Sequence, residues 1–325
     1  MLVLVTGGAG YIGSVTVAQL LEEGYEVRVL DNLFYDNYYV IEALREKGPF
    51  EFVKGDIRDP EVLRRAMKGV DAVLHLAAIV GAPISEREPE LTMAVNYEAT
   101  KLIAELCQEM GVDRLVFASS TSVYGNIGNL SVVDERGPTN PLSLYAKTKL
   151  MSERCLLQKS QEEGLPVCCL RVATNYGPSF RPRFDLVVNR FVCLALTEKR
   201  ITVYGGSQWR PFIHTHDTAR AYRLVLEAPL GRVRGEVFNV GSTSENYRIM
   251  DVAELVRKAI PGIRVEISKD GDPRSYRVSF EKIRRRLGFE VERTLADGIR
   301  ELIPFVRSIP NPKDRRYYNY PPEGL

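Results

Sequence analysis

Eight residues near the start of the chain, Thr6-Gly7-Gly8-Ala9-Gly10-Tyr11-Ile12-Gly13, constrain its fold more than any other stretch. They follow an apolar run, Leu2-Val3-Leu4-Val5, that reads as a buried strand. They open into Val15-Thr16-Val17-Ala18-Gln19-Leu20-Leu21, whose spacing suits a helix face. Between strand and helix, the first glycine of Gly7-x-x-Gly10-x-x-Gly13 permits a sharp turn. The second lets backbone approach a pyrophosphate, and the third lets the helix pack on the sheet. A diphosphate then sits on the free N–H groups and positive dipole end of the helix. A second strand, from Tyr25 to Leu30, ends in Asp31. A carboxylate there accepts both ribose hydroxyls of an adenosine and repels a 2′-phosphate. The stretch predicts a dinucleotide site that prefers NAD to NADP.

The pattern repeats downstream. Phe50-Glu51-Phe52-Val53 predicts a third strand, ending at Gly55-Asp56-Ile57. Asp56 has two readings: it binds an adenine amino group, or it caps the helix that starts near Pro60. Ala72-Val73-Leu74-His75-Leu76-Ala77-Ala78 predicts a fourth strand, with His75 packed inside it and small residues letting backbone pass close to a cofactor. A long helix is expected from about 89 to 111, with Asn96 as a structural hydrogen-bonder. Arg114 to Ser119 and Val167 to Val172 give a fifth and a sixth strand. Apolar strands alternating with helices predict an α/β protein, a doubly wound parallel sheet of Rossmann type covered on both faces. Ligands of such sheets lie at the strands' carboxyl ends. Ser119-Ser120-Thr121-Ser122-Val123-Tyr124-Gly125 occupies one of them.

A helix is expected to begin at Ser143, and it carries Tyr145 and Lys149, four apart and therefore on one face. A lysine ammonium beside a phenol favours the phenolate. A Tyr so tuned exchanges a proton with a sugar or alcohol hydroxyl.

Beyond residue 173 the rhythm changes. The expected division is an NAD-binding Rossmann domain, 1–173, and a smaller, mainly substrate-binding lobe, 174–325, with segments about 201–216 and 235–242 returning to the first domain. The aromatic, basic tail from Arg315 to Pro322 either docks on a neighbour or hangs loose. Lysine and arginine number 44 against 42 acidic residues, a net charge of +2 that exerts no pull toward nucleic acid or anionic membrane. Five cysteines form no Cys-x-x-Cys pair and read as buried apolar residues in a reducing compartment. The three histidines suggest no metal cluster. With neither a leader peptide nor a membrane-length apolar run, a cytoplasmic location is expected.

Taken in order, Thr6 to Gly13, Asp31-Asn32-Leu33, His75-Leu76-Ala77-Ala78, Ser119-Ser120-x-x-Val123-Tyr124-Gly125, Tyr145-x-x-x-Lys149 and Tyr176-Gly177-Pro178 resemble an extended short-chain dehydrogenase/reductase of the NAD-dependent sugar-nucleotide epimerase/dehydratase type. Arg210-Pro-Phe-Ile-His214 and the Arg274 to Gly288 segment extend the resemblance over nearly the whole chain. It implies Ser120, Tyr145 and Lys149 as catalytic residues, with Tyr145 as general acid/base and Lys149 also holding the nicotinamide ribose. It implies cofactor contacts from Gly7, Gly10, Tyr11, Ile12, Gly13, Asp31, Asn32, Asp56, Ile57, Leu76, Ala77, Ala78, Tyr145 and Lys149. Substrate contacts fall to Ser120, Thr121, Thr174, Asn175, Arg210 and Arg274, the arginines clamping a nucleotide diphosphate. Arg181 and Arg183 either add charge near that cleft or form surface ion pairs. Relatives that dehydrate the sugar carry Asp-Glu directly after the catalytic Thr; here Thr121 and Ser122 stand there. The expectation is an NAD-dependent epimerase of a nucleoside-diphosphate sugar, acting at C4. Its alternatives are a dehydrogenase or reductase with net hydride transfer, and a non-catalytic NAD sensor. The resemblance also implies a homodimer through helices about 89–111 and 143–164.

Overall fold

The computed structural model describes residues 1–128, 132–269 and 271–320. Its strands are β1 (Leu2–Thr6), β2 (Glu26–Asp31), β3 (Glu51–Lys54), β4 (Ala72–His75), β5 (Arg114–Ser120), β6 (Val167–Val172), β7 (Thr174–Tyr176), β8 (Arg200–Tyr204), β9 (Trp209–His214), β10 (Glu236–Val240), β11 (Asn246–Arg248) and β12 (Arg264–Ser268). Seven of them make one parallel sheet in the order β3-β2-β1-β4-β5-β6-β10. The strand order reverses between β1 and β4, and a crevice opens at the carboxyl ends there.

Strand period places alternate residues on opposite faces. Val3 and Val5 of β1 pack with Val17, Leu20, Tyr222 and Val225 on one side of the sheet. Leu4 packs with Leu63, Ile103 and Leu106 on the other. Burial on both faces is why these strands read as unbroken apolar runs.

A third core gathers Phe184, Val188, Phe191, Phe212, Val252, Leu295 and Ile299. Beside it β9 lies between β7 and β11, and β8 pairs with β12. Of the two later segments expected to return, 236–240 becomes the edge strand beside β6, whereas 200–204 and 209–214 pair within these small sheets.

The helical run expected from 89 comprises Pro89–Met93, a wider turn at Ala94–Glu98, and Ala99–Glu109. At the wide turn the Asn96 carbonyl accepts from Thr100 Oγ1 (2.8 Å) and Ser152 Oγ (2.7 Å). The Asn96 side chain holds both backbone groups of Ile79, at 2.8 and 3.0 Å, and so fixes the loop that follows β4. The aromatic tail packs on its own chain: Phe184 N donates to Tyr317 O (2.9 Å), and the Arg316 guanidinium stands 5.2 Å from the Tyr39 ring centre. Pro321 and Pro322, like Asp270 in the late basic loop, lie outside the described residues. No helix among the described residues is long and apolar enough to cross a membrane.

Candidate active site

The crevice is a cavity of about 810 Å³, and every site residue singled out in the sequence lines it. At one end is the glycine turn. Gly7 has φ +73°, and a Cβ there would stand 2.8 Å from backbone atoms of Ala77. A Cβ on Gly13 would stand 2.1 Å from the Gly7 oxygen, so only glycine fits. The first intrahelical bond of Tyr11–Glu22 is Ser14 N to Gly10 O (3.0 Å). The N–H groups of Tyr11, Ile12 and Gly13 therefore have no acceptor within the helix, and all three residues line the cavity. Leu76, Ala77 and Ala78 continue that wall. Such a turn, backed by small residues, fits a dinucleotide's diphosphate.

Asp31 ends β2 beside the turn. Its carboxylate accepts from Ala9 N (3.0 Å) and Leu33 N (2.8 Å), and burial still pushes the carboxyl above its ordinary value. Asp56 lies nearby with Asn32 and Ile57; hydrogen bonds from Arg58 at 2.8 and 2.9 Å hold it low against the opposing effect of burial. The helix-capping reading of Asp56 is corrected. Asp59 caps that helix, accepting from Glu61 N (2.9 Å) and Val62 N (3.3 Å), because it directly precedes Pro60 at the first helical position.

Ser120 ends β5, and Tyr145 lies in the first turn of helix Leu144–Glu163. That turn is held from two sides. Ser143 Oγ accepts from Ala146 N (3.2 Å), while Glu86 and Ser85 accept from the N–H groups of Leu144 (2.8 Å) and Tyr145 (3.2 Å). Burial pushes the Tyr145 phenol up; a hydrogen bond with Ser120 and the charge of Arg183 oppose that shift without cancelling it. Lys149 is buried, its ammonium pushed down to about 7 by desolvation and placed 4.8 Å from the Phe117 ring centre. The i, i+4 spacing predicts Lys149 as the cation that tunes the phenol; here the cation whose charge bears on it is Arg183. His75 is packed as expected, between Thr6 (2.8 Å) and Thr100 (2.9 Å), and burial pushes it down to about 3.

Toward the C-terminal residues, Thr121 donates to Val172 O (3.3 Å), and Thr174 lines the cavity. The Asn175 amide is engaged within the chain, with Ala173 O (3.1 Å) and Thr218 Oγ1 (2.8 Å). Arg210 and Arg274 meet on one carboxylate, Asp272, at 2.9 and 2.5 Å. Arg183 is held by Asp185 in two bonds, 3.0 and 2.7 Å.

Several contributors escaped the sequence reading. Asp272 stands two residues before Arg274, a spacing that signals a local carboxylate–guanidinium pair. Asn189 ties the Tyr-Gly-Pro turn to the glycine turn, accepting from Gly177 N (3.1 Å) and donating to Tyr11 Oη (2.9 Å). Nothing local marks Asn189, because its partners are distant in sequence.

The model of the NAD dependent epimerase/dehydratase family matches residues 3–241. A dTDP-glucose 4,6-dehydratase of Streptomyces niveus is 30% identical, with 94% of this chain and 93% of that protein covered. A UDP-glucose 4-epimerase of Neisseria meningitidis is 29% identical, covering 96% and 99%. Among solved structures, the UDP-glucuronic acid 4-epimerase of Bacillus cereus, in complex with UDP-glucuronic acid and NAD, superposes with a TM-score of 0.85 at 28% identity, covering 94% and 99%.

Proposed function

The chain belongs to the NAD-dependent epimerase/dehydratase family, and on that premise we propose that it epimerises a nucleoside-diphosphate sugar, at C4. Its relatives include both epimerases and dehydratases, so the choice rests on the cavity's acids. The carboxylates lining it are Asp31, Asp56, Asp185 and Asp272. Each is already engaged: Asp31 by two backbone N–H groups, Asp56 by Arg58, Asp185 by Arg183, and Asp272 by Arg210 and Arg274. The positions after Ser120 are the neutral Thr121 and Ser122. Eliminating water from a sugar needs a free acid beside the reacting carbons. Among the described residues that line the cavity none is present, which favours epimerisation.

In this reading Ser120 hydrogen-bonds the reacting hydroxyl and Tyr145 removes its proton. NAD, when bound, supplies reversible hydride acceptance. The keto-sugar turns over in the cleft, and Tyr145 returns the proton once the carbon has been reduced on its opposite face. Lys149 holds the nicotinamide ribose, Asp31 holds the adenosine ribose, and Arg210 and Arg274 hold the sugar nucleotide's diphosphate. Tyr145→Phe tests the assignment: turnover should fall by about 10²–10⁴-fold with NAD retained, and unchanged activity would remove Tyr145 from the mechanism.

We also propose a homodimer through the helices at about 89–111 and 143–164. Leu142, just before the second helix, and Met151, within it, leave large apolar side chains exposed. Light scattering should give twice the chain mass; a monomeric mass would refute the dimer.

A further inference from the structure

One guanidinium in the cavity wall has, among the described residues, no acceptor for two of its nitrogens. Arg181 is 2% exposed, and it lines the cavity. Its Nη1 donates to Asn319 Oδ1 (2.8 Å), while Nε and Nη2 are buried and meet no acceptor among the described residues. Its Cζ stands 3.9 Å from the centre of the Tyr35 ring, and the Tyr35 hydroxyl is likewise buried without a partner among the described residues. The aspartates that bear on this corner are committed elsewhere. Asp31 is taken by Ala9 and Leu33, and Asp185 by Arg183 and the Asn319 N–H (3.3 Å). Burial and the neighbouring Arg183 push Arg181 down to about 10, still charged at neutral pH. A buried cation with open donors is costly unless an anion completes it.

The surroundings identify the anion. Arg181 lies two residues after Ser179, whose hydroxyl donates to Tyr11 O (2.7 Å) and meets Ser14 Oγ (3.1 Å) in the first turn of the glycine-turn helix. Tyr35 belongs to the segment that follows β2 and Asp31. Arg181 therefore stands on the cofactor side, whereas Arg210 and Arg274 stand together at Asp272. The tail fixes its position, since Asn319 also donates to Val80 O (3.1 Å) and thereby spans the cavity wall.

We propose that Arg181, oriented by Asn319 of the C-terminal tail, binds a phosphate of the dinucleotide's diphosphate opposite the glycine turn. The tail is then part of the cofactor site. This rests on the reading of the cleft as a dinucleotide site, and it holds whether the turnover is epimerisation or net oxidation.

The test is calorimetric binding of NAD, NADP, ADP-ribose, adenosine and UDP to the full chain stripped of endogenous nucleotide, for the unmodified protein, Arg181→Gln and Asn319→Ala. Loss of one charge-assisted contact should weaken NAD and ADP-ribose by about 10–100-fold in Arg181→Gln. A weakening of about 3–10-fold is expected in Asn319→Ala, where the guanidinium remains but loses its tether. Adenosine and UDP should bind as before. UDP weakened with NAD unchanged would move Arg181 to the sugar nucleotide. A loss confined to NADP would make it a reader of a 2′-phosphate, and no change for any ligand would make it internal packing; each overturns the assignment. If Arg181→Gln does not fold, Asn319→Ala decides alone, and unchanged NAD affinity there overturns the proposal. An unmodified protein that binds no NAD would overturn the dinucleotide site itself, a result distinct from these.

Discussion

Glu153 receives Arg171 through two hydrogen bonds, Oε1 to Nη2 at 2.5 Å and Oε2 to Nε at 3.0 Å, with both side chains buried. Ser119 Oγ adds a third bond to the carboxylate, at 2.9 Å, so the helix carrying Tyr145 is fastened to β5 and β6 behind the site. Removing one partner of such a pair strands the other charge. Glu153→Gln should cost about 3–5 kcal/mol in urea unfolding, and adding Arg171→Met should recover part of the loss. A single-variant cost near zero would contradict this role.

The glycine turn leaves no room for a methyl group at residue 13, where a Cβ would stand 2.1 Å from the Gly7 oxygen. Gly13→Ala must displace the turn that presents the helix N–H groups. The purified variant should carry about a tenth or less of the normal NAD content, a loss of about 1.4 kcal/mol or more in binding. Undiminished NAD content would mean that the diphosphate lies elsewhere.

Burial depresses His75 to about 3, below its unfolded value near 6.5. Between those values the unfolded chain binds the extra proton, so stability rises with pH. The contribution is complete above about pH 6.5 and is lost as pH falls toward 3, amounting to roughly 5 kcal/mol at most. His75→Gln should show a shallower loss of unfolding free energy between pH 7 and 4 than the unmodified protein. Identical slopes would mean that His75 takes up its proton while folded.

Asp31 has two duties that one substitution separates by readout. Asp31→Ala should relax discrimination against NADP by about tenfold or more. It should also lower the melting temperature, because the N–H groups of Ala9 and Leu33 lose their acceptor. Equal NAD and NADP affinity in the unmodified protein would contradict the role given to this carboxylate.

Much of this architecture was legible in the sequence, for a physical reason. A two-sided parallel sheet forces apolar runs on its strands, and a turn that bars any Cβ forces glycine at fixed spacing. Local rules therefore marked Gly7, Gly13 and Asp31, and put Tyr145 and Lys149 on one helix face, while the family resemblance singled out Ser120; all six line one cavity. Interactions between distant segments were not legible. The Glu153–Arg171 pair, the Asn189 bridge and the Asn319–Arg181 contact each join residues whose spacing carries no period. Arg183 near the phenol was foreseen only as charge near the cleft. The pairing of 200–204 with 264–268 depends on strand partners that no local pattern specifies.

Epimerisation is turnover without net redox change, and following the sugar and the cofactor together tests it. The purified protein is incubated with a panel of nucleoside-diphosphate sugars and no added cofactor, while proton NMR follows the sugars and absorbance follows NADH. The C4 epimer of one substrate should accumulate to equilibrium with no net NADH. Stoichiometric NADH with an oxidised sugar, or a dehydrated product, would contradict it.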